Sequence, residues 1–347
     1  MSVRAIVAAV DLDDPHRPLL PELEEFEALA AASGATIIER FVQKRDAVDP
    51  ATMIGSGKAA EIAARAKELH ADLLLSFNDL RPRQRKNLEG VISLPIVDRT
   101  MLILDVFAQH ARSREGKLQV ELAQLRYRQS NLIGIGADLS RLGGGIGTRG
   151  PGETKLEVDR RRIAQRVATL EKHLADVRRQ RDLRRSSRRS EPLISLVGYT
   201  NAGKSSLLNA LARSDALVAD RPFATLDPTV RRAYLGDGTY ARVADTVGFI
   251  TDLPKDLVNA FRATLEELQD ADLLVHVIDA SNPDWPRQRA AVDGLLRELE
   301  LDRKPSLLAF NKCDRENANP DAGAICVSAR TGAGLDELRE AVRERLA

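Results

Sequence analysis

The run Gly198-Tyr199-Thr200-Asn201-Ala202-Gly203-Lys204-Ser205 has the spacing of a phosphate-binding loop: two glycines bracketing four residues, then a lysine and a hydroxyl. Its flanks agree. Leu193 to Val197 is a short apolar run that reads as a buried strand, and Ser206 to Arg213 opens a helix with Leu207, Leu208 and Leu211 on one face. A strand, a glycine loop and a helix start, in that order, make an anion site. The glycines let the backbone approach phosphates, and the loop N–H groups and the helix N-terminus point at them. Lys204 is then placed to reach the β- and γ-phosphates, and the Ser205 hydroxyl to bind Mg²⁺.

Working outward toward the C-terminus, further motifs follow in a fixed order. Phe223-Ala224-Thr225-Leu226-Asp227-Pro228 puts a threonine where a loop closes on Mg²⁺ and the γ-phosphate. Arg231 to Val243 reads as a hairpin around Gly236-Asp237-Gly238. It leads into Asp245-Thr246-Val247-Gly248, where the aspartate holds the Mg²⁺ shell through water and the glycine N–H senses the γ-phosphate. Leu273 to Asp279 and Leu307 to Phe310 read as buried strands, the second ending in Asn311-Lys312-Cys313-Asp314. Asp314 is the expected carboxylate for guanine, accepting from N1–H and the 2-amino group; adenine offers no such donor pair. Asn311 and Lys312 would brace the base and the phosphate loop. Ile325 to Val327 is a last strand, and Ser328-Ala329-Arg330 after it would cap the guanine. GTP is therefore the expected nucleotide, with Lys204, Thr225 and Gly248 as the catalytic set. The residue after Gly248 is Phe249, which neither orients nor deprotonates water; slow intrinsic hydrolysis, raised when a partner orders the loops, is expected.

The 347 residues suggest about two or three domains. A hydrophobic fraction of 43% is ordinary for a chain that builds a sizeable core. Net charge is +1, so any attraction to nucleic acid must lie in local clusters. Cys313 and Cys326 make neither a disulfide framework nor a metal cluster and fit a reducing cytosol. No apolar run approaches a membrane span, and no signal pattern opens the chain. Aromatic residues are only 4%, which weighs against base stacking as the main binding mode.

Toward the N-terminus, strands and helices alternate: Ala5 to Val10, Leu20 to Ala32 with Gly34 as stop, Ala35 to Phe41, Gly57 to Leu69, Leu73 to Phe77, and Arg81 to Leu88. A fourth strand within Val91 to Val97 is confined to an edge by Pro95. This pattern predicts a small α/β domain with a parallel sheet. Gly55-Ser56-Gly57-Lys58 lacks phosphate-loop spacing and reads as a glycine-assisted helix start.

From Met101 to Ser187 the pattern becomes helical. Thr100 to Ala111 and Gly116 to Leu132 carry apolar stripes. Leu156, Ile163, Val167, Leu170, Leu174 and Val177 form a narrow heptad-like seam, so two long helices packed as a hairpin are expected. Between them Ser140 to Glu153 holds six glycines and a proline with Arg141 and Arg149, either a spacer or a surface that orders against a phosphate backbone. The second helix is arginine-rich, from Arg160-Arg161-Arg162 to Arg188-Arg189: either a solvated face or a sequence-independent attraction to RNA phosphates. Arg184 to Pro192 reads as a linker.

Taken together these residues resemble the HflX-type ribosome-associated GTPases, in the Obg-HflX superfamily of translation-factor-related P-loop GTPases. The most specific runs lie outside the nucleotide half: Val97-Asp98-Arg99-Thr100, Glu115-Gly116-Lys117-Leu118-Gln119-Val120-Glu121-Leu122-Ala123-Gln124-Leu125, and Leu142 through Glu157. The resemblance implies an α/β protein in three parts: an N-terminal α/β domain with a parallel sheet over 1–100, a long α-helical hairpin with its glycine-rich loop over 101–187, and a C-terminal P-loop GTPase domain over 191–347. It implies nucleotide contacts at Gly198 through Ser205, Phe223 through Asp227, Asp245 through Gly248, Asn311 through Asp314 and Ser328 through Arg330, with Mg²⁺ on Ser205 and Thr225. It also implies binding of GTP and GDP and of the large ribosomal subunit and its RNA, with Arg141 and Arg149 as candidate ribosome contacts, and splitting or rescue of stalled or idle ribosomes. In some related GTPases an asparagine at the position of Asn201 coordinates K⁺. Met53 stands where relatives often carry an aromatic before the glycine-lysine run. Some relatives continue into a further C-terminal domain, whose contacts are not expected here. A cytoplasmic monomer without stable membrane insertion is the expectation, peripheral membrane association being left open.

Three functions use these features differently. A GTP hydrolase gated onto ribosomes uses both the nucleotide motifs and the basic helix. A signalling switch docking a protein partner through the hairpin uses the motifs alone. A passive RNA-binding factor uses the basic helix alone.

Overall fold

The computed structural model describes residues 2–14, 18–142, 151–185, 191–213, 222–223, 225–251 and 268–347, and the side chains of these except at 132–142, 151–156, 178 and 180–185. The described residues form two compact units. Met1–Gln109 groups with Val120–His173, and His110–Gln119 groups with Leu174–Ala347.

In the first unit, β1 (Val3–Asp11), β2 (Ala35–Lys44), β3 (Leu73–Ser76) and β4 (Ile96–Asp98) form a parallel sheet in the order β2-β1-β3-β4. Residues 5–10 of β1 are buried, as a central strand covered on both faces requires. β4 is the edge strand expected near Pro95, and it starts one residue after that proline. Helices α1 (Leu19–Ala32), α2 (Ser56–Glu68) and α3 (Pro82–Ile92) alternate with the strands. Ile62, Leu88 and Ile92 pack with Ile6, Ala8 and Leu74 of the sheet. Gly55 caps α2 at φ +84°, so the glycine-lysine run is a helix start, as its spacing indicated.

Asp98 explains one of the signature runs. Its carboxylate accepts the Met101 N–H at 2.9 Å, the N-cap bond of helix α4 (Arg99–His110), and also accepts from the Arg85 guanidinium and the Tyr127 hydroxyl. Arg85 in turn donates to the Tyr127 hydroxyl at 2.8 Å and to the Ile96 carbonyl at 2.5 Å. Asp98 is 1% exposed, so each of these bonds compensates a desolvated charge. Burial and the neighbouring Asp98 charge push the Tyr127 phenol well above its ordinary pKa and keep it a donor.

Helices α5 (Arg114–Leu142) and α6 (Pro151–Arg185) are the two long helices of the middle region. Val120, Leu122 and Ala123 of α5 and Leu170 and Leu174 of α6 are buried, matching the predicted stripes, while Ile163, Val167 and Val177 are partly buried along the seam. Arg166 pairs with Glu121 and Arg126 with Glu171 across the two helices. Helix α5 runs ten residues beyond the Leu132 expected from its pattern. The glycine-rich run is also shorter than read: Ser140 to Leu142 end α5, Pro151 to Glu153 start α6, and 143–150 lie outside the described residues.

In the second unit, β5 (Leu193–Gly198), β6 (Thr229–Gly236), β7 (Thr239–Asp245), β8 (Leu273–Asp279), β9 (Ser306–Asn311) and β10 (Ile325–Cys326) form a sheet in the order β10-β9-β8-β5-β7-β6. It is parallel except for β6, which pairs antiparallel with β7 through the predicted hairpin. Helices α7 (Lys204–Ala212), α8 (Trp285–Glu298) and α9 (Leu335–Leu346) accompany it, and Leu207, Leu208, Leu211 and Leu338 pack against Leu196, Val243 and Val275. From β5 the chain moves first to one side of the sheet (β7, β6) and then to the other (β8, β9, β10). The strand order reverses beside β5, so its C-terminal end is where an open α/β sheet binds ligands.

Candidate functional site

β5 ends in that crevice, and residues 198–205 turn there from strand to helix. All six β5 residues are buried, so the loop is carried on a rigid element. Asn201 and Gly203 take the left-handed conformation, at φ +59° and +92°. Lys204 is buried, and its Nζ donates to the Gly198 carbonyl at 3.0 Å and the Tyr199 carbonyl at 2.9 Å. Burial holds its pKa down at about 8, partly opposed by the Asp245 carboxylate. A bound phosphate would supply the negative charge that this ammonium lacks.

Next to Lys204 in sequence, the Ser205 hydroxyl lies 2.8 Å from the Thr225 hydroxyl and donates to Asp245 Oδ2 at 2.5 Å; Thr225 donates to the same oxygen at 2.9 Å. Two hydroxyls and a carboxylate from three separate segments thus converge on one point. Asp245 Oδ1 is buried with no hydrogen-bond partner among the described residues. Hard oxygen donors with spare acceptor capacity beside a phosphate loop suit Mg²⁺, which keeps several waters and few protein ligands. Ser205 and Thr225 would hold the ion, with Asp245 ordering its water shell, and the ion would neutralise charge between the β- and γ-phosphates.

The Asp245–Gly248 segment lies against the phosphate loop. Thr246 Oγ1 donates to the Leu196 carbonyl at 2.7 Å. Phe249 N–H donates to the Gly198 carbonyl at 3.1 Å, and Thr200 N–H to the Phe249 carbonyl at 2.7 Å. The Phe249 side chain is 2% exposed. It serves packing and backbone pairing, and it presents no group to a water. A Cβ on Gly248 would fall 2.9 Å from Thr200 Cα and 3.1 Å from Lys204 Nζ, so only glycine permits this approach. The Val247, Leu226 and Phe223 side chains are buried; Ala224 lies outside the described residues.

The residues expected to recognise the base also converge. Asn311 donates through Nδ2 to the Ala202 carbonyl at 3.0 Å and accepts the Ala329 N–H at 3.1 Å, tying the phosphate loop to the 328–330 segment. Lys312 Nζ donates to the Asn201 carbonyl at 2.8 Å and pairs with Asp279 at 2.6 Å. The Asp314 carboxylate accepts from Ser328 Oγ at 2.7 Å and pairs with Arg330 at 2.6 Å. Those two partners hold it ionised, below its ordinary pKa, as an acceptor for guanine must be. The Cys313 thiol is pushed up to about 12 by burial and by its neighbour Cys326. It is thus an unreactive thiol packed near Phe310, Trp285 and Ala318.

Two participants escaped the sequence motifs, and a third, Asp227, stood inside one as an expected nucleotide contact. Asp279 anchors Lys312; its only signal is an acidic residue at the end of an apolar strand. Thr251 bonds the Tyr199 hydroxyl at 2.7 Å, steadying the loop's first variable residue. Asp227 accepts the N–H groups of Arg112 and Ser113, at 2.8 and 2.6 Å. Arg149 and the Arg141 side chain lie outside the described residues.

The chain matches three family models: a GTP-binding GTPase N-terminal region over residues 21–108, a GTP-binding GTPase middle region over 110–188, and a 50S ribosome-binding GTPase over 193–312. GTPase HflX of Caldanaerobacter subterraneus subsp. tengcongensis is 47% identical, over 99% of this chain and 80% of that protein. GTPase HflX of Escherichia coli is 44% identical, over 94% and 79%. Among solved structures, SsGBP in complex with GDP shares the fold at a TM-score of 0.53 and 23% identity, covering 99% of this chain and 98% of that one. With its phosphate loop, its hydroxyl–carboxylate cluster and the Asp314 carboxylate assembled at one sheet end, the chain is a GTP-hydrolysing member of the HflX family.

Proposed function

We propose that this GTPase binds the large ribosomal subunit in its GTP-bound state, splits or rescues stalled or idle ribosomes there, and leaves after hydrolysis. The observation that carries the reading is the match of residues 193–312, which hold most of the nucleotide site, to a 50S ribosome-binding GTPase. Exposed arginines on α6 support it: Arg160, Arg161 and Arg162 offer that helix's cationic groups to RNA phosphates. Arg141 and Arg149 are proposed to extend this contact to ribosomal RNA. Phe249 supports slow intrinsic turnover, so the ribosome would act by ordering the loops around Thr225 and Gly248. Lys204, Thr225 and Gly248 then act on the transferring phosphoryl group, with Mg²⁺ on Ser205 and Thr225. K⁺ at Asn201 is proposed as an additional stimulant, and equal hydrolysis rates in KCl and NaCl would remove it. The working location is the cytoplasm and the working state a monomer. No helix among the described residues is long and apolar enough to cross a membrane.

Co-sedimentation with purified large subunits tests the reading, at fixed salt, with a non-hydrolysable GTP analogue, GDP or no nucleotide. Pelleting mainly with the analogue is expected. Equal pelleting in all three conditions would instead describe a constitutive RNA binder, and no pelleting a switch whose partner is a protein docked on the hairpin. Replacing Arg141 and Arg149 with alanine is expected to weaken pelleting while GTP affinity holds.

A further inference from the structure

The start of helix α5 and the loop that carries Thr225 are bound to each other, and both belong to the second compact unit. Ser113 is the N-cap of α5: its Oγ accepts the Gly116 N–H at 2.8 Å, and its carbonyl accepts the Lys117 N–H at 3.1 Å. The Asp227 carboxylate sits on this cap. One oxygen accepts both the Arg112 N–H at 2.8 Å and the Ser113 N–H at 2.6 Å, while the other accepts the Ser113 hydroxyl. A carboxylate at a helix N-terminus also meets the positive end of the helix dipole. Gly116 makes room for it: a Cβ there would collide with an Asp227 oxygen.

Two residues before Asp227, Thr225 reaches Ser205 and Asp245 at the proposed Mg²⁺ position. Leu226 between them is 2% exposed, so the short segment is pinned at its centre as well as at both ends. The loop conformation that brings Thr225 to the metal therefore also brings Asp227 to the helix cap. We infer that Asp227 is a positioning residue that couples closure of the nucleotide loop to capping of α5, so that the order of the helix's first turn reports whether GTP or GDP is bound. The chain passes at this turn from one compact unit to the other, since residues from Val120 onward belong to the first. The coupling is reciprocal: whatever steadies the start of α5 must favour the GTP-bound loop by the same factor. The inference rests on the nucleotide site alone and is independent of the ribosomal reading.

The full chain is loaded with GDP or with a non-hydrolysable GTP analogue, and backbone hydrogen exchange is followed at residues 112–117. Protection is expected to be about tenfold greater with the analogue, the scale of a helix cap. Ser113→Ala, which is outside the nucleotide site, should collapse that difference. It should also weaken analogue affinity by about three- to tenfold with GDP affinity unchanged. Gly116→Ala should do the same by displacing Asp227. Equal protection in the two states, or equal weakening for the two nucleotides, would overturn the coupling. Failure of the wild-type chain to bind either nucleotide would overturn the site itself, and the coupling with it.

Discussion

Lys204 carries a consequence that is measurable as protons. Its ammonium is buried, and desolvation brings its pKa to about 8 from an ordinary 10.5. Bound phosphates favour the charged form and raise that pKa, so above about pH 8 the complex holds more protons than the free protein. Nucleotide binding is therefore expected to take up a proton between about pH 8 and 9, with affinity falling as pH rises, by at most tenfold per pH unit. Calorimetry in buffers of different ionisation enthalpy checks this; no proton uptake would mean that Lys204 is already charged. Asp314 makes the second residue-scale prediction. Asp314→Asn places a donor against the guanine donors and removes the partner of Arg330. GTP affinity should fall by about 10³-fold or more, while xanthosine triphosphate, which presents a carbonyl at the 2-position, should bind better than GTP. Both residues were singled out by spacing alone, because a phosphate loop and a guanine acceptor call for those side-chain types at those chain positions; what spacing could not give is the burial of Lys204 and the Ser328 and Arg330 partners of Asp314.

Elements were legible where local pattern and burial coincide. β1, β5 and β8 are largely apolar runs in sequence and central strands in the fold. Helix α5 was less legible: its apolar pattern was followed only to Leu132, yet the glycines at 134 and 136 beyond it each cost only about 1 kcal/mol inside a helix and do not stop it. The cap formed by Asp227 was invisible, since it joins residues 114 positions apart with no periodicity to reveal it. Asp98 was visible as part of a signature run, but its role as a shared acceptor needed the positions of Arg85 and Tyr127. Leu170 of α6 is fully buried. Leu170→Ala is expected to cost about 2–5 kcal/mol and lower Tm by roughly 5–15 °C, read by thermal unfolding. Gly248→Ala, which forces the loop away from Thr200, should reduce kcat by about 10²-fold, read by single-turnover hydrolysis.

At the scale of the whole molecule, a net charge of +1 conceals a strongly basic helix. The proposed contact with RNA then carries a salt signature. Binding to large subunits should weaken steeply with rising salt, and each of Arg160→Ala and Arg161→Ala should lower the slope of log affinity against log salt by about one. An unchanged slope would assign these arginines to solvent. The order of parts along the chain was readable as alternating strands and helices, then long helices, then the nucleotide motifs. How the chain divides into compact units was not readable, because the start of α5 groups with the nucleotide half and most of its length with the other. The buried Phe249 bears on behaviour in a population of molecules. A GTPase whose residue after the switch glycine is a buried phenylalanine gets no help from that position in activating water, and on the proposed function it does not limit the lifetime of its active form from within. On the proposed function, that lifetime ends mainly by encounter, so the GDP-bound fraction should track the abundance of ribosomal particles able to order the loops. The protein would then act as a gauge of those particles, its reading set by their concentration rather than by elapsed time.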